Sequence, residues 1–308
     1  MLLLRWRLIS ATIILSLLFG LIYLDITRPI RGVAGVWLLP ILLLAIVGGV
    51  VELLNMLATG GHRPARWSTC TGALLVFLAT CAPLGWPLTG NTYPVDCPFG
   101  KLGWPLAATA CATLLAFLAE VLRYHEPGKA LVNVALAVFA ICYVGLLASF
   151  LVLLRTVNST EPLWGMIALL STISIVKMSD TGAYTFGRLF GKHKLAPRLS
   201  PGKTIEGLIG GLVTAVVTAL IWPLVLIPMM LSPAAAPNWI GWFLCGLMIA
   251  IAGVVGDLAE SLLKRDMRCK DSGHWIPGLG GFLDILDSLL FAAPVAFCCW
   301  TVGLVGPA

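Results

Sequence analysis

The sequence predicts an all-α, polytopic integral membrane protein with about nine transmembrane helices and a cytoplasmic N-terminus. Three observations carry that prediction. Of the 308 residues, 59% are hydrophobic and 11% charged, with a mean hydropathy of +0.98. A soluble domain of that length cannot bury so much apolar surface. Nine apolar runs are long enough to cross a bilayer core of roughly 30 Å as helices, covering 8–24, 33–54, 70–88, 104–122, 130–153, 163–186, 205–231, 239–263 and 283–305. With the N-terminus inside, fifteen Lys and Arg fall in the inner loops and four in the outer ones, Lys177 being intramembrane. That is the positive-inside bias, and it puts the C-terminus outside.

Taken in order, the first run follows Arg5 and Arg7 and is continued by Asp25-Ile26-Thr27-Arg28-Pro29 rather than by a small-residue cleavage site, so it reads as a retained span. The second run contains Glu52 and the fourth Glu120; each is read as an interfacial charge that snorkels or pairs off. The outer loop from Leu84 to Pro105 carries Trp86, Tyr93 and Trp104 among prolines and glycines, a composition suited to an aromatic belt. Asn158-Ser159-Thr160 has the form of a glycosylation acceptor on an outer loop. The seventh run opens with Gly207-x-x-x-Gly211, which permits close helix packing and leaves a homodimer open. Residues 1–160 form an N-terminal set of spans, and 161–308 the region that carries the chemistry.

Most of the charge of the later spans lies in two stretches on the inner face. In the first, Asp257, Glu260 and Lys264 stand three and four residues apart and share a helix face. A loop with Lys270, Asp271, Gly278, Gly280 and Gly281 follows, and then Asp284 and Asp287, again three apart. Ionisable groups in spans are expensive, so a cluster at one depth reads as a site opening to the cytoplasm. Carboxylates at two helix ends around a basic, glycine-containing loop suit a divalent cation with a polyphosphate.

The second stretch runs from Lys177 through Ser179-Asp180-Thr181-Gly182-Ala183-Tyr184 and the basic loop 188–198 to Ser200-Pro201-Gly202-Lys203-Thr204-Ile205-Glu206-Gly207. Gly202-Lys203-Thr204 is not a P-loop, because Pro197 occupies the position of the required glycine and no strand precedes it. Ser200 is placed instead as the cap of a helix beginning at Pro201, whose free N–H groups beside Lys203 and Arg198 make an anion site.

Other classes fit less well. The net charge of +6 resides in short loops, which favours membrane retention and phosphate chemistry over nucleic acid. Nine cysteines lie mostly within apolar runs and contain no Cys-x-x-Cys pair, and the four histidines lack zinc spacing. Gly253-Val254-Val255-Gly256-Asp257 lacks a Gly-x-Gly-Asp motif, and no Ser/His/Asp set is present. A transporter of phosphorylated solutes would place its charges near the midplane and show repeat symmetry, whereas these crowd one face.

Taken together, Ser261-x-Leu263-Lys264-Arg265, Lys270-Asp271-x-Gly273, Ile276-Pro277 and Gly280-Gly281-Phe282-x-Asp284-x-Leu286-Asp287, with the upstream Ser179–Tyr184 and Ser200–Gly207 stretches, resemble the phosphatidate cytidylyltransferases, the CDP-diacylglycerol synthases. The resemblance covers the chain from about residue 165. It implies transfer of a cytidylyl group from CTP to phosphatidate, giving CDP-diacylglycerol and pyrophosphate; the loop charges place the site on the cytoplasmic face, and the lack of eukaryotic targeting signals favours a bacterial inner membrane. The resemblance further implies Mg²⁺, with room for a second cation, on Asp257, Asp284 and Asp287. Asp257, Lys264, Lys270, Asp271 and Asp287 would carry the reaction, and Asp180, Ser200, Lys203, Glu206, Ser261 and Arg265 would bind substrate. Leu279 and Ile285 stand where the family usually has His and Arg, which keeps an inactive or altered-substrate relative as the alternative.

Overall fold

A computed structural model of the chain describes residues 2–94, 96–125, 127–158, 161–231, 238–273, 275–278 and 280–306. Ser159 and Thr160 of the glycosylation motif, His274 and Leu279 lie outside the described residues. Among the described residues, nine helices have the length and apolar composition of membrane spans. They are α1 (Leu2–Thr27), α2 (Leu39–Thr59), α3 (Arg66–Leu88), α4 (Gly100–Arg123), α5 (Ala130–Arg155), α6 (Pro162–Phe190), α7 (Ile205–Met230), α8 (Trp239–Asp266) and α9 (Phe282–Thr301). Side chains that water would not tolerate in such number face outward, as on α4, where Leu114, Val121 and Leu122 are each 69% exposed. This is the lipid-facing surface of an integral membrane protein.

Two of the spans are not uniform. Ile141–Leu146 within α5 and Trp222–Leu226 within α7 wind as π-turns, the second at Pro223, whose missing N–H already interrupts the α-helical ladder. The all-α expectation needs one addition: β1 (Lys194–Ala196) and β2 (Ser200–Thr204) form a short antiparallel hairpin between α6 and α7.

That hairpin corrects the helix start placed at Pro201. Lys194 pairs with Thr204 and Ala196 with Ser200, so the backbone from 200 to 204 is committed to the ladder. The helix begins only at Ile205, where Thr204 Oγ1 accepts from the N–H of Gly207 at 3.1 Å. Thr204 is thus the cap, and Ser200 sits in a strand. Glu206 lies in the first turn of α7, where a negative charge favours the helix dipole.

By their contacts the residues form two compact units. One comprises Met1–Leu153 with Lys264–Leu286; the other comprises Leu154–Leu263 with Asp287–Ala308. The units change over between Leu153 and Leu154, and residues 264–286 group with the N-terminal helices. Small residues explain why. Gly48 on α2 leaves room for the ring of Phe282, and Gly60 at the end of α2 leaves room for Met267. Thr59 Oγ1 meets Cys269 Sγ at 3.1 Å, and Ser10 Oγ of α1 donates to the carbonyl of Pro277 at 2.8 Å. The core beneath includes Val76, Ala108, Ala112 and Ile141, with the Ile141 side chain against Gly72.

In the second unit α6 and α7 pack backbone to backbone. A Cβ at Gly207 would sit 2.7 Å from the carbonyl of Ala183, and one at Gly211 would sit 2.9 Å from that of Ser179. The Gly207-x-x-x-Gly211 face is therefore filled within the chain. Gly246 of α8 gives the same close approach to Ala219 of α7.

Candidate active site

In the second unit, the acidic end of α8 and the capped start of α7 build a charged pair. Asp257 Oδ2 stands 2.6 Å from Lys203 Nζ, the side chains being 35% and 22% exposed. Lys203 is carried to that point by β2, one residue before the cap that fixes α7. Gly256 sets the position of Asp257, since a Cβ there would sit 2.5 Å from the carbonyl of Asp287 on α9. The close approach leaves Asp287 buried, at 8% exposure, within the electrostatic reach of Asp257, Asp180 and Lys177. Asp180 itself pairs with Lys177 at 3.6 Å on α6. Three carboxylates and two ammonium groups thus share one neighbourhood.

A cavity of about 470 Å³ opens beside them. Asp180, Arg188, Lys203 and Asp257 supply its charge, and Tyr184, Leu208 and Val254 its apolar wall. Gly202 and Gly207 also line it, so backbone as well as side chains reaches the space. A cavity lined by cationic, anionic and apolar groups together suits a ligand that is itself part phosphate and part hydrocarbon or ring.

Glu206, expected to bind substrate, has its oxygens engaged by the chain. It accepts from the backbone N–H of Lys192 at 3.0 Å and of His193 at 3.2 Å, and from His193 Nδ1 at 2.6 Å. Those bonds tie the hairpin to the start of α7. Lys194 donates to the carbonyl of Pro201 at 2.7 Å, closing the same turn.

In the first unit the signature loop makes its own cluster. Asp284, in the first turn of α9, accepts from Gly281 N–H at 2.7 Å, Ser272 Oγ at 2.8 Å and Lys264 Nζ at 2.9 Å. The first of these is the reciprocal arm of a capping box, in which the third helical residue reaches back to the cap. Three donors on one carboxylate make Asp284 a clamp on Lys264. Ser261 is half-buried on α8, whereas Arg265, Lys270 and Asp271 are exposed.

Glu52 is the residue that sequence reasoning misjudged. It does not snorkel outward: it is 1% exposed and its Oε2 accepts from Leu283 N–H at 2.9 Å. The signal was present in an acid within an apolar run, but its partners lie 231 residues away. Glu120 does pair off, with Arg123 at 3.3 Å and Asn133 at 3.1 Å.

Residues 5–302 match the sequence model of the cytidylyltransferase family. The chain belongs to that family. The match reaches almost to the N-terminus, whereas the motifs alone carried the resemblance only from about residue 165. Among relatives, the chain is 36% identical over 188 residues to a phosphatidate cytidylyltransferase of Staphylococcus aureus, covering 59% of this chain and 66% of that protein. The corresponding Staphylococcus epidermidis enzyme is 37% identical over 187 residues, with the same coverage. The uncharacterized protein YnbB of Escherichia coli is 38% identical over 171 residues, covering 54% of this chain and 52% of YnbB. The chain thus spans about half the length of YnbB and just under two thirds of the staphylococcal proteins.

Proposed function

We propose that this cytidylyltransferase-family protein moves a cytidylyl group from CTP to phosphatidate in the membrane, releasing pyrophosphate and leaving CDP-diacylglycerol. The observation that carries the reading is the Lys203–Asp257 pair at the wall of the part-charged, part-apolar cavity. A nonbridging oxygen of the lipid phosphate attacks the α-phosphorus of CTP, and the bond to the bridging oxygen of the β-phosphate breaks. The lipid phosphate is already ionised, so no side chain has to remove a proton. Such a transfer depends on charge neutralisation and in-line positioning more than on covalent help from the protein.

Lys203 and Arg188 bind phosphate oxygens in the cavity, with Gly202 allowing the backbone to come close. In the signature loop Lys264, presented by Asp284, and the exposed Arg265 and Lys270 give a positive potential that favours phosphate. Asp180 orients Lys177, and Glu206 orients the hairpin that carries Lys203.

Mg²⁺ fits part of the donor set. Asp257 and Asp287 are hard oxygen donors on neighbouring helix turns, and Mg²⁺ is commonly held by one or two carboxylates with substrate phosphates and water completing its shell. Among the described residues no three His, Cys, Asp or Glu side chains are grouped to hold an ion by themselves, so phosphate and water would supply the remaining positions. When bound, the cation would lower the charge on the transferring phosphate. Asp284, committed to Lys264, Ser272 and Gly281, acts as a positioning group. The excess of basic residues on one face supports a cytoplasmic opening, where CTP is available.

The test uses the full chain in detergent with labelled CTP, dioleoyl phosphatidate and Mg²⁺. The expected result is CTP-dependent CDP-diacylglycerol that vanishes with a chelator and falls at least about a hundredfold in Asp257→Asn or Asp287→Asn, in folded protein. Full turnover in either variant would remove these carboxylates from the chemistry. No product from the unmutated, folded chain would overturn the reaction; activity gained on Ile285→Arg would then point to a disabled relative.

A further inference from the structure

Glu52 is among the buried ionisable residues that the transfer as proposed does not use. Glu52 lies on α2 in the second apolar run and is 1% exposed. A carboxylate so placed is costly unless it is bonded and has a reason to be there. Its Oε2 accepts from the N–H of Leu283, the second residue of α9. The first turn of a helix carries N–H groups without intrahelical partners, and a buried acceptor on one of them fixes both the position and the direction of the helix start.

The signature loop closes on Glu52 from two sides. The three atoms nearest to a Cβ at Gly273 would be Oε1, Cδ and Cγ of Glu52, all too close for it to fit. One at Gly281 would strike Oε2 and Cδ of Glu52 together with Ser272 Oγ. Gly281 and Ser272 are also the residues that donate to Asp284, which in turn holds Lys264 at 2.9 Å. An unbroken set of contacts therefore leads from the carboxylate on α2 to the ammonium group of Lys264.

We infer that Glu52 is a positioning residue for the cytidylyl transfer. It clamps the loop at Gly273 and the helix start at Gly281–Leu283, and so fixes where Asp284 presents Lys264. This rests on the transferase reading above for its catalytic consequence. The clamp itself can be judged without turnover.

The experiment compares Glu52→Gln, which keeps an acceptor, with Glu52→Met, which keeps volume and removes it. In Glu52→Met the amides from Gly281 to Leu283 exchange with deuterium at least about tenfold faster, as expected for a lost buried hydrogen bond. The kcat falls at least about tenfold, while KM for CTP stays within about threefold, because misplacement rather than binding is at fault. Glu52→Gln stays within about threefold of the unmutated chain in exchange and kcat, since its amide oxygen can take the Leu283 N–H.

The second arm is a double-mutant cycle on thermal stability. Gly273→Ala lowers Tm in the unmutated background and loses most of that effect when Glu52 is Ala, because Glu52 is what the added methyl would strike. Unchanged exchange in Glu52→Met, or additive effects of Gly273→Ala and Glu52→Ala, would overturn the clamp. Lack of CTP-dependent product from the unmutated chain would instead defeat the transferase reading, and exchange with the Gly273 cycle would still decide for or against the clamp.

Discussion

Lys203 and Asp257 hold one another at 2.6 Å at the edge of a cavity, each partly exposed. A pair in that setting is easily exchanged for a stronger partner, and a phosphate group is one. Replacing Lys203 by Met should therefore lower kcat/KM for CTP by about a hundredfold while the chain stays folded. Steady-state kinetics beside a melting curve checks this, and a variant with unaltered kcat/KM would free Lys203 from phosphate binding. The sequence singles out Asp257 and Asp287 because charge is scarce in a chain of this composition and each stands at helical spacing from another charged residue, and Lys203 because it stands beside an expected helix start. Glu52 was not, because a lone acid has no spacing to read and its partners arrive only with the signature loop. Glu206 was expected to bind substrate, and its spacing gave no hint of its partners within the chain. Only the fold reveals that Lys192 and His193 take up its oxygens.

The nine spans could be read from hydropathy, and the structure agrees with them to within a few residues at most ends. The start of α7 could not. Ser200-Pro201 has the form of a cap and first helical residue, yet pairing of 194–196 with 200–204 is a nonlocal choice that local propensity does not record. The real cap, Thr204, is a single hydroxyl on Gly207 N–H. Thr204→Ala should cost about 1 kcal/mol at that helix end, which amounts to about a fivefold rise in amide exchange at Gly207. Exchange measured peptide by peptide would detect it, and Ser200→Ala should leave the same amides unaffected. The Gly207-x-x-x-Gly211 face shows the limit of a motif in the other direction: the spacing announced close packing, and only the fold names α6 as the partner.

At the scale of the molecule the positive-inside bias orders the loops, and it can be checked directly. In a background free of reactive thiols, Arg198→Cys should be labelled by an impermeant maleimide only after the membrane is opened, and Asn91→Cys in intact cells. The reverse pattern would invert the protein. The grouping of 264–286 with the first helices was beyond the sequence, because it depends on Gly48 and Gly60 accommodating side chains, and on Glu52 bonding backbone, that are distant in the chain. It also sets a timetable for biosynthesis. The Leu283 amide leaves the ribosome 231 residues after Glu52, a delay on the order of 10 to 50 s at ordinary elongation rates. For that interval the nascent protein carries an acid in the bilayer that has not yet met its mate. A truncated product never resolves it, and an unmatched membrane carboxylate is a mark by which a membrane protease could tell the unfinished chain from the finished one.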